Sequence, residues 1–183
     1  MLLWGCDKAH AQPDSLQLSN KVIGQPPYKL AIGARGFNPI GEFDLGIAAK
    51  YFITGRGAVE IGLSKVILNK DAYQLSAMYE RHSSVFNSRN FMLYYGAGGG
   101  VLILNKYSST LIGKREEHAG MNYRAGIGYI AGVELGMGKV PFAVSFDFRG
   151  IYYPGISNHR GDGGVLNVAS PALGLKYRFG LNK

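Results

Sequence analysis

FMLYYGAGGGV, residues 91–101, is the stretch that decides the fold. Phe91, Leu93, Tyr95, Ala97 and Val101 fall on one alternate set of positions, and Tyr94, Gly96, Gly98 and Gly100 stand between them. A period of two belongs to a β-strand, whose successive side chains point to opposite faces. One face of this strand is large and apolar. The other is nearly bare.

The same two-faced pattern runs outward from this stretch. Towards the N-terminus, Tyr28, Leu30, Ile32 and Ala34 alternate with Lys29, Ala31, Gly33 and Arg35, and Phe43, Leu45, Ile47, Ala49 and Tyr51 with Asp44, Gly46, Ala48 and Lys50. Val59, Ile61 and Leu63 oppose Glu60, Gly62 and Ser64, and Tyr73, Leu75, Ala77 and Tyr79 oppose Gln74, Ser76, Met78 and Glu80. Towards the C-terminus, Tyr123, Ala125, Ile127, Tyr129, Val133 and Leu135 oppose Asn122, Arg124, Gly126, Gly128, Gly132 and Glu134. Phe142, Val144, Phe146 and Phe148 oppose Ala143, Ser145, Asp147 and Arg149, and Leu173, Leu175, Tyr177 and Phe179 oppose Gly174, Lys176 and Arg178. Turn residues separate the runs: Asn38-Pro39-Ile40-Gly41, Thr54-Gly55-Arg56-Gly57, Asn69-Lys70-Asp71 and Gly138-Lys139-Val140-Pro141. Polar loops are predicted over Asn105–His118 and Pro154–Val165, and a turn region over His82–Asn90. The pattern predicts eight strands, and no segment keeps a helical period.

Alternation alone fits two barrels of opposite sense. A lipocalin-like carrier keeps its apolar face inside, whereas a membrane barrel turns it to lipid. Glycine decides between them. It weakens a water-facing strand and gains nothing there, but it suits the cramped lumen of an eight-stranded barrel. The face carrying Gly33, Gly46, Gly62, Gly96, Gly98, Gly100, Gly126, Gly128, Gly132 and Gly174 is therefore assigned to the inside. The predicted fold is all-β: an eight-stranded antiparallel up-and-down transmembrane β-barrel. The soluble carrier of an apolar ligand is the alternative.

Composition agrees. The 183 residues make one domain, charged residues are only 17%, and no apolar run approaches the roughly 18 residues of a membrane helix. The formal charge is +8, but the basic residues are scattered through apolar runs rather than gathered on a stripe. That excludes a nucleic-acid partner and points instead to anionic lipid and lipopolysaccharide phosphates. Cys6 is the single cysteine, so no intrachain disulfide forms. Residues 1–11 begin Met1-Leu2-Leu3-Trp4 and reach Ala9-His10-Ala11, an A-x-A pattern, and are expected to be a truncated signal segment. Lipidation at Cys6 and a disordered leader are the competing readings. Residues 12–27 form a lead-in, and 28–181 the barrel.

The stretches LSAMYERHSSVF (75–86) and FMLYYGAGGG (91–100) resemble the small outer-membrane β-barrel domain proteins of Gram-negative bacteria. The resemblance extends to KLAIGARG, to GIAAKYFITGRGAVEIGL, to GVELGMGKVPFAVSFDFRG and to the terminal ALGLKYRF, and so covers most of Tyr28–Phe179. It implies a porin-like barrel in the cell outer membrane, without enzymatic activity or cofactor. The alternation ending in Phe179 resembles the C-terminal signal read by the barrel-assembly machinery, although four more residues follow it here.

The inward face is predicted to hold Arg35, Asp44, Lys50, Glu60, Glu80, Arg124, Glu134, Asp147, Arg149, Lys176 and Arg178, with Lys29 beside them. Charges taken out of water have to be paired, so an ionic network filling the lumen is expected. An eight-stranded barrel leaves no wide pore, which argues against a passive porin. Aromatics near the strand ends (Tyr28, Tyr51, Phe52, Tyr73, Phe91, Tyr152, Tyr153, Tyr177, Phe179) are expected to form interfacial girdles. His82-Ser83-Ser84 raises a second function, a lipid A-modifying hydrolase in which Glu80 orients His82. Its place in a turn region on the periplasmic side weighs against that. Arg160-Gly161-Asp162 lies in the last outward loop as a possible surface motif. The four histidines are too dispersed for a metal site.

Overall fold

The computed structural model describes residues 25–36, 44–66, 72–86, 88, 90–111, 114–138, 140–157, 163–166 and 170–181. The expected leader (1–11), most of the lead-in and Arg160-Gly161-Asp162 lie outside them. The described chain forms nine antiparallel segments: β1 (Leu30–Gly36), β2 (Asp44–Phe52), β3 (Gly57–Val66), β4 (Ala72–Ser84), β5 (Phe91–Leu111), β6 (Lys114–Gly136), β7 (Phe142–Ser157), β8 (Gly163–Leu166) and β9 (Ser170–Phe179). Both β8 and β9 pair with β7, at Tyr152–Ser157 and Phe142–Arg149 respectively. They are two stretches of one stave, so the barrel has eight staves as the alternation predicts. Each neighbour in sequence is a neighbour in space, and Leu30 pairs with Phe179 to close the sheet. A closed sheet has no edge with unpaired backbone groups, and this is what lets strands cross lipid.

Partners followed from Phe52 through Ala58, Glu80, Gly96, Ile130 and Arg149 arrive at Ser170. β1 instead closes on Phe179, so the register staggers by about ten residues around the barrel and the strands tilt by about 40°. The stagger climbs from β1 towards β7.

Apolar side chains face outward, as the glycine argument requires. Ile47, Ile61, Leu63, Leu75, Tyr95, Ile127, Leu135 and Leu175 are all exposed. At the base of the outer wall Phe142, Tyr177 and Phe179 form a row, the first pair edge-on with ring centroids 5.4 Å apart and the second tilted at 4.7 Å. The glycines line the inside where large side chains need room. A side chain at Gly128 would run into Met78 Cε at 3.0 Å and Ile151 Cγ1 at 2.8 Å. One at Gly100 would meet Ile151 and the Tyr153 hydroxyl.

Several expectations are corrected. The polar loop at Asn105–His118 is a continued ladder: Lys106 pairs with Ala119 and Leu111 with Lys114, beyond a register shift at Leu104/Lys106. Cross-strand hydrogen bonding costs a polar sequence nothing in water, and alternation in hydrophobicity vanishes where both faces are wet. The stretch Pro154–Val165 is likewise partly strand, with β7 running to Ser157 and β8 starting at Gly163. β4 continues to Ser84, which shortens the expected turn region to Val85–Asn90. Tyr28, Phe52 and Tyr153 are not girdle residues. Each is less than 5% exposed and turned into the lumen.

Gly128→Leu is expected to destabilise the barrel by about 1–3 kcal/mol through overpacking, read as a lower urea midpoint of the slow-migrating, unboiled band on SDS gels. Leu75→Arg, in the lipid-facing wall, should cost about 2–4 kcal/mol by the same readout in lipid vesicles.

Candidate functional site

The lumen is the place where chemistry-bearing side chains meet. Inward positions on β2, β3, β4, β6, β7 and β9 send Lys50, Glu60, Glu80, Glu134, Asp147, Arg149 and Lys176 to one buried layer, and β1 adds Arg35. Glu60 is its hub. Its Oε1 accepts from Arg35 Nη1 at 2.8 Å and Arg149 Nη2 at 3.0 Å, and its Oε2 from Lys176 Nζ at 2.9 Å, with Lys50 Nζ at 3.5 Å. Asp147 accepts from Arg149 Nε and from the Tyr94 hydroxyl, both at 2.9 Å. Lys50 lies 2.6 Å from Glu80 and 3.5 Å from Glu134, and 4.1 Å above the Tyr94 ring.

Charge balance explains the arrangement. Arg35, Lys50, Arg149 and Lys176 are matched by Glu60, Glu80, Glu134 and Asp147 in contact with them. No charge in this layer is left to meet a low dielectric alone.

Two apolar plugs enclose the layer. At the base, Tyr28, Phe52, Met92, Ala31 and Ala58 form one buried cluster, with Tyr28 packed edge-on against Phe52 at 5.0 Å. Towards the other end, Met78, Tyr94, Ile130, Ile151 and Tyr153 form the second. Tyr28 precedes β1, and its hydroxyl donates to Glu134 at 3.1 Å. Burial above all, with the Glu134 carboxylate beside it, holds the Tyr28 phenol well above its ordinary pKa, so it remains a donor.

Not every predicted lumen residue joins this layer. Arg178 is buried at the base, where its Nη2 donates to the Val140 carbonyl at 3.0 Å, and it meets no carboxylate among the described residues. Arg124 is half-buried further up β6. The side chain of Asp44 lies outside the described residues. Lys29, expected inside, is exposed, because it precedes the strand and escapes its alternation.

His82 is the residue the sequence reading misplaced. It sits within β4 rather than in a turn, is 3% exposed, and faces the lumen two residues below Glu80. Its Nε2 lies 3.0 Å from Glu80 Oε2, and its ring stacks on Tyr94 at 5.1 Å. The signal was present: Met78, Glu80 and His82 keep the period of two. Ser83 and Ser84 are exposed and no hydroxyl among the described residues bonds to His82. The pair therefore lacks the aligned nucleophile of a hydrolase. No cluster of His, Cys, Asp and Glu among the described residues suits a metal ion.

An apolar belt outside, a closed hydrogen-bonded wall and a charge-matched lumen define a transmembrane β-barrel of the outer-membrane kind. Solved structures share this fold. The N-terminal β-barrel domain of Pseudomonas aeruginosa OprF aligns over 85% of this chain and 99% of its own, with a TM-score of 0.59 and 16% identity. Neisserial surface protein A aligns over 82% of this chain and 94% of its own, with a TM-score of 0.50 and 18% identity. No protein-family model and no curated protein matches the sequence.

Glu60→Ala leaves four cations around an empty position and should cost about 3–5 kcal/mol of stability, measured as the denaturant midpoint in detergent. Glu60→Ala combined with Lys176→Met should recover part of that loss.

Proposed function

We propose that this chain is a non-enzymatic outer-membrane barrel with a structural or surface-interaction role. The observation that carries this reading is the filled lumen. Glu60, Glu80, Glu134 and Asp147 are paired there with cations, and two buried apolar clusters, Tyr28–Phe52–Met92 at the base and Met78–Ile151–Tyr153 above, flank that layer. A channel needs a continuous polar route, and an enzyme needs reactive groups that substrate can reach. Burial of His82 and Glu80 beneath the plug speaks against the hydrolase reading.

What this barrel presents to the outside is its longest ladder, the β5–β6 hairpin, which rises past the lipid-facing belt and includes residues 105–118. This hairpin, together with the region 154–167, is the proposed contact surface. At the opposite end, outward-facing Phe179 on β9 is the proposed contact for the barrel-assembly machinery.

Purified barrel reconstituted in a planar lipid bilayer is expected to give no steady conductance above baseline. Stable open events in most insertions would replace the structural reading with a channel. His82→Ala should leave the lipid A mass profile of the producing cells unchanged; an altered profile would restore the hydrolase.

A further inference from the structure

Among the described residues the exposed charges of this barrel have one sign. Glu60, Glu80, Glu134 and Asp147 are the carboxylates whose side chains are described, and every one is buried in the lumen. The exposed charged side chains among the described residues are all cations: Lys29, Arg56, Arg81 and Lys65. Lys65 is near the upper edge of the outer wall, where it sits 5.6 Å over its cross-strand partner Tyr73. The other three gather at the base, on adjoining staves. Phe52 N donates to the Lys29 carbonyl, the turn Ile53–Arg56 follows Phe52 directly, and His82 N donates to the Arg56 carbonyl beside Arg81. None of the three meets a carboxylate among the described residues.

At Lys29, with Arg56 two residues beyond its Thr54 wall, the base carries an open groove of about 480 Å³. It is walled by Pro26, Lys29, Gly180 and the run Tyr51–Thr54. Gly180 has a positive φ of 65°, a backbone conformation that favours glycine, and lies in ordinary contact range of Lys29. The groove is amphipathic: Tyr51 and Ile53, about half exposed, continue the lipid-facing wall, while Lys29 and Thr54 lie towards water. Its height is fixed by the strands. With a rise of about 2.5 Å per tilted residue, Arg81 and Tyr73 on β4 are separated by roughly 20 Å, close to the depth of the hydrocarbon band. The base cations therefore stand at the level of head groups, on the leaflet where the β2–β3 turn emerges.

We infer that this groove and the Lys29–Arg56–Arg81 crescent bind the phosphate-bearing head group of an anionic phospholipid in that leaflet, with an acyl chain lying on Tyr51 and Ile53. Long cationic side chains at the edge of a belt reach towards head groups while their stems stay on apolar surface. A neutral lipid gains nothing from three cations that meet no carboxylate among the described residues, whereas an anionic one supplies a counter-charge.

The inference rests on the chain being a membrane barrel, so the test reads folding and lipid retention on the same samples. Refolded protein in detergent is titrated with phosphatidylglycerol or phosphatidylcholine and bound lipid is counted by native mass spectrometry. Heat-modifiable migration checks the fold. Phosphatidylglycerol should be retained over phosphatidylcholine, falling about five-fold for each cation removed in Lys29→Gln, Arg56→Gln and Arg81→Gln. Lys65→Gln, at the other edge, should leave retention unchanged. These exposed side chains hold no structural hydrogen bond among the described contacts, so the variants should keep the folded band. Equal retention of the two lipids, or undiminished retention by the folded triple variant, overturns the site. Displacement of phosphatidylglycerol by millimolar inorganic phosphate would show that the crescent recognises free phosphate and overturn the lipid assignment. Loss of the folded band in the unaltered protein would overturn the barrel reading itself.

Discussion

A carboxylate with four cations around it is the centre on which this barrel depends. Glu60 on β3 gathers Lys50 from the neighbouring β2 and Arg35, Arg149 and Lys176 from β1, β7 and β9, and so ties β3 to three strands that are not its neighbours in the sheet. Backbone hydrogen bonds close the wall but link each strand only to the next. The lumen supplies the cross-bracing. In lipid the apolar outer face gains nothing by packing together, because acyl chains solvate it equally well. The specific interactions must therefore come from inside. Breaking one partner of such a buried set leaves an uncompensated charge, which is why the set stands or falls together.

Filling a narrow cylinder imposes the second constraint, that of volume. Six large side chains, Tyr28, Phe52, Met78, Tyr94, Ile151 and Tyr153, cross the lumen. Those on β4, β5 and β7 fit because neighbouring strands carry glycine at the same level. Gly100, Gly126 and Gly128 face Ile151, Tyr153 and Met78. Large groups on β4, β5 and β7 and bare backbone on β5 and β6 are thus two halves of one packing arrangement. The same arrangement fills the interior at this level, so the close approach of the strands and the packing of the lumen have a common cause.

Charge sorting joins the inside to the outside. Among the described residues the carboxylates are consumed by the lumen, and the exposed charges, Lys29, Arg56, Lys65 and Arg81, stand near the two edges of the wall. The basic residues look scattered in the sequence because some face the buried layer, as Arg35, Lys50, Arg149 and Lys176 do, and others lie outside it.

The strands, their number, the inward glycine face and the outward apolar face were legible in the sequence, since a period of two records directly which side of a wall a residue occupies. Leu75 and Gly128 could be placed from alternation alone. Alternation breaks off where both faces are wet, and the ladder through Lys106 and Lys114 was read as a loop for that reason. It also stops at strand ends, so Tyr28 and Lys29 were assigned to the wrong surroundings, whereas Phe52 keeps the inward phase of Ala48 and Lys50 and was misread by residue type. Which inward charges would touch, and which would not, depended on the stagger of about ten residues around the closed sheet. That stagger sets the height of every residue on every strand. It brings Glu60 level with Lys176, more than a hundred positions away, and leaves Arg178 at the base without a carboxylate among the described residues. Sequence by itself determined the sides of the wall, because that is a local property of each strand. Only closure of the sheet decided the heights, because height is a property of all eight staves at once.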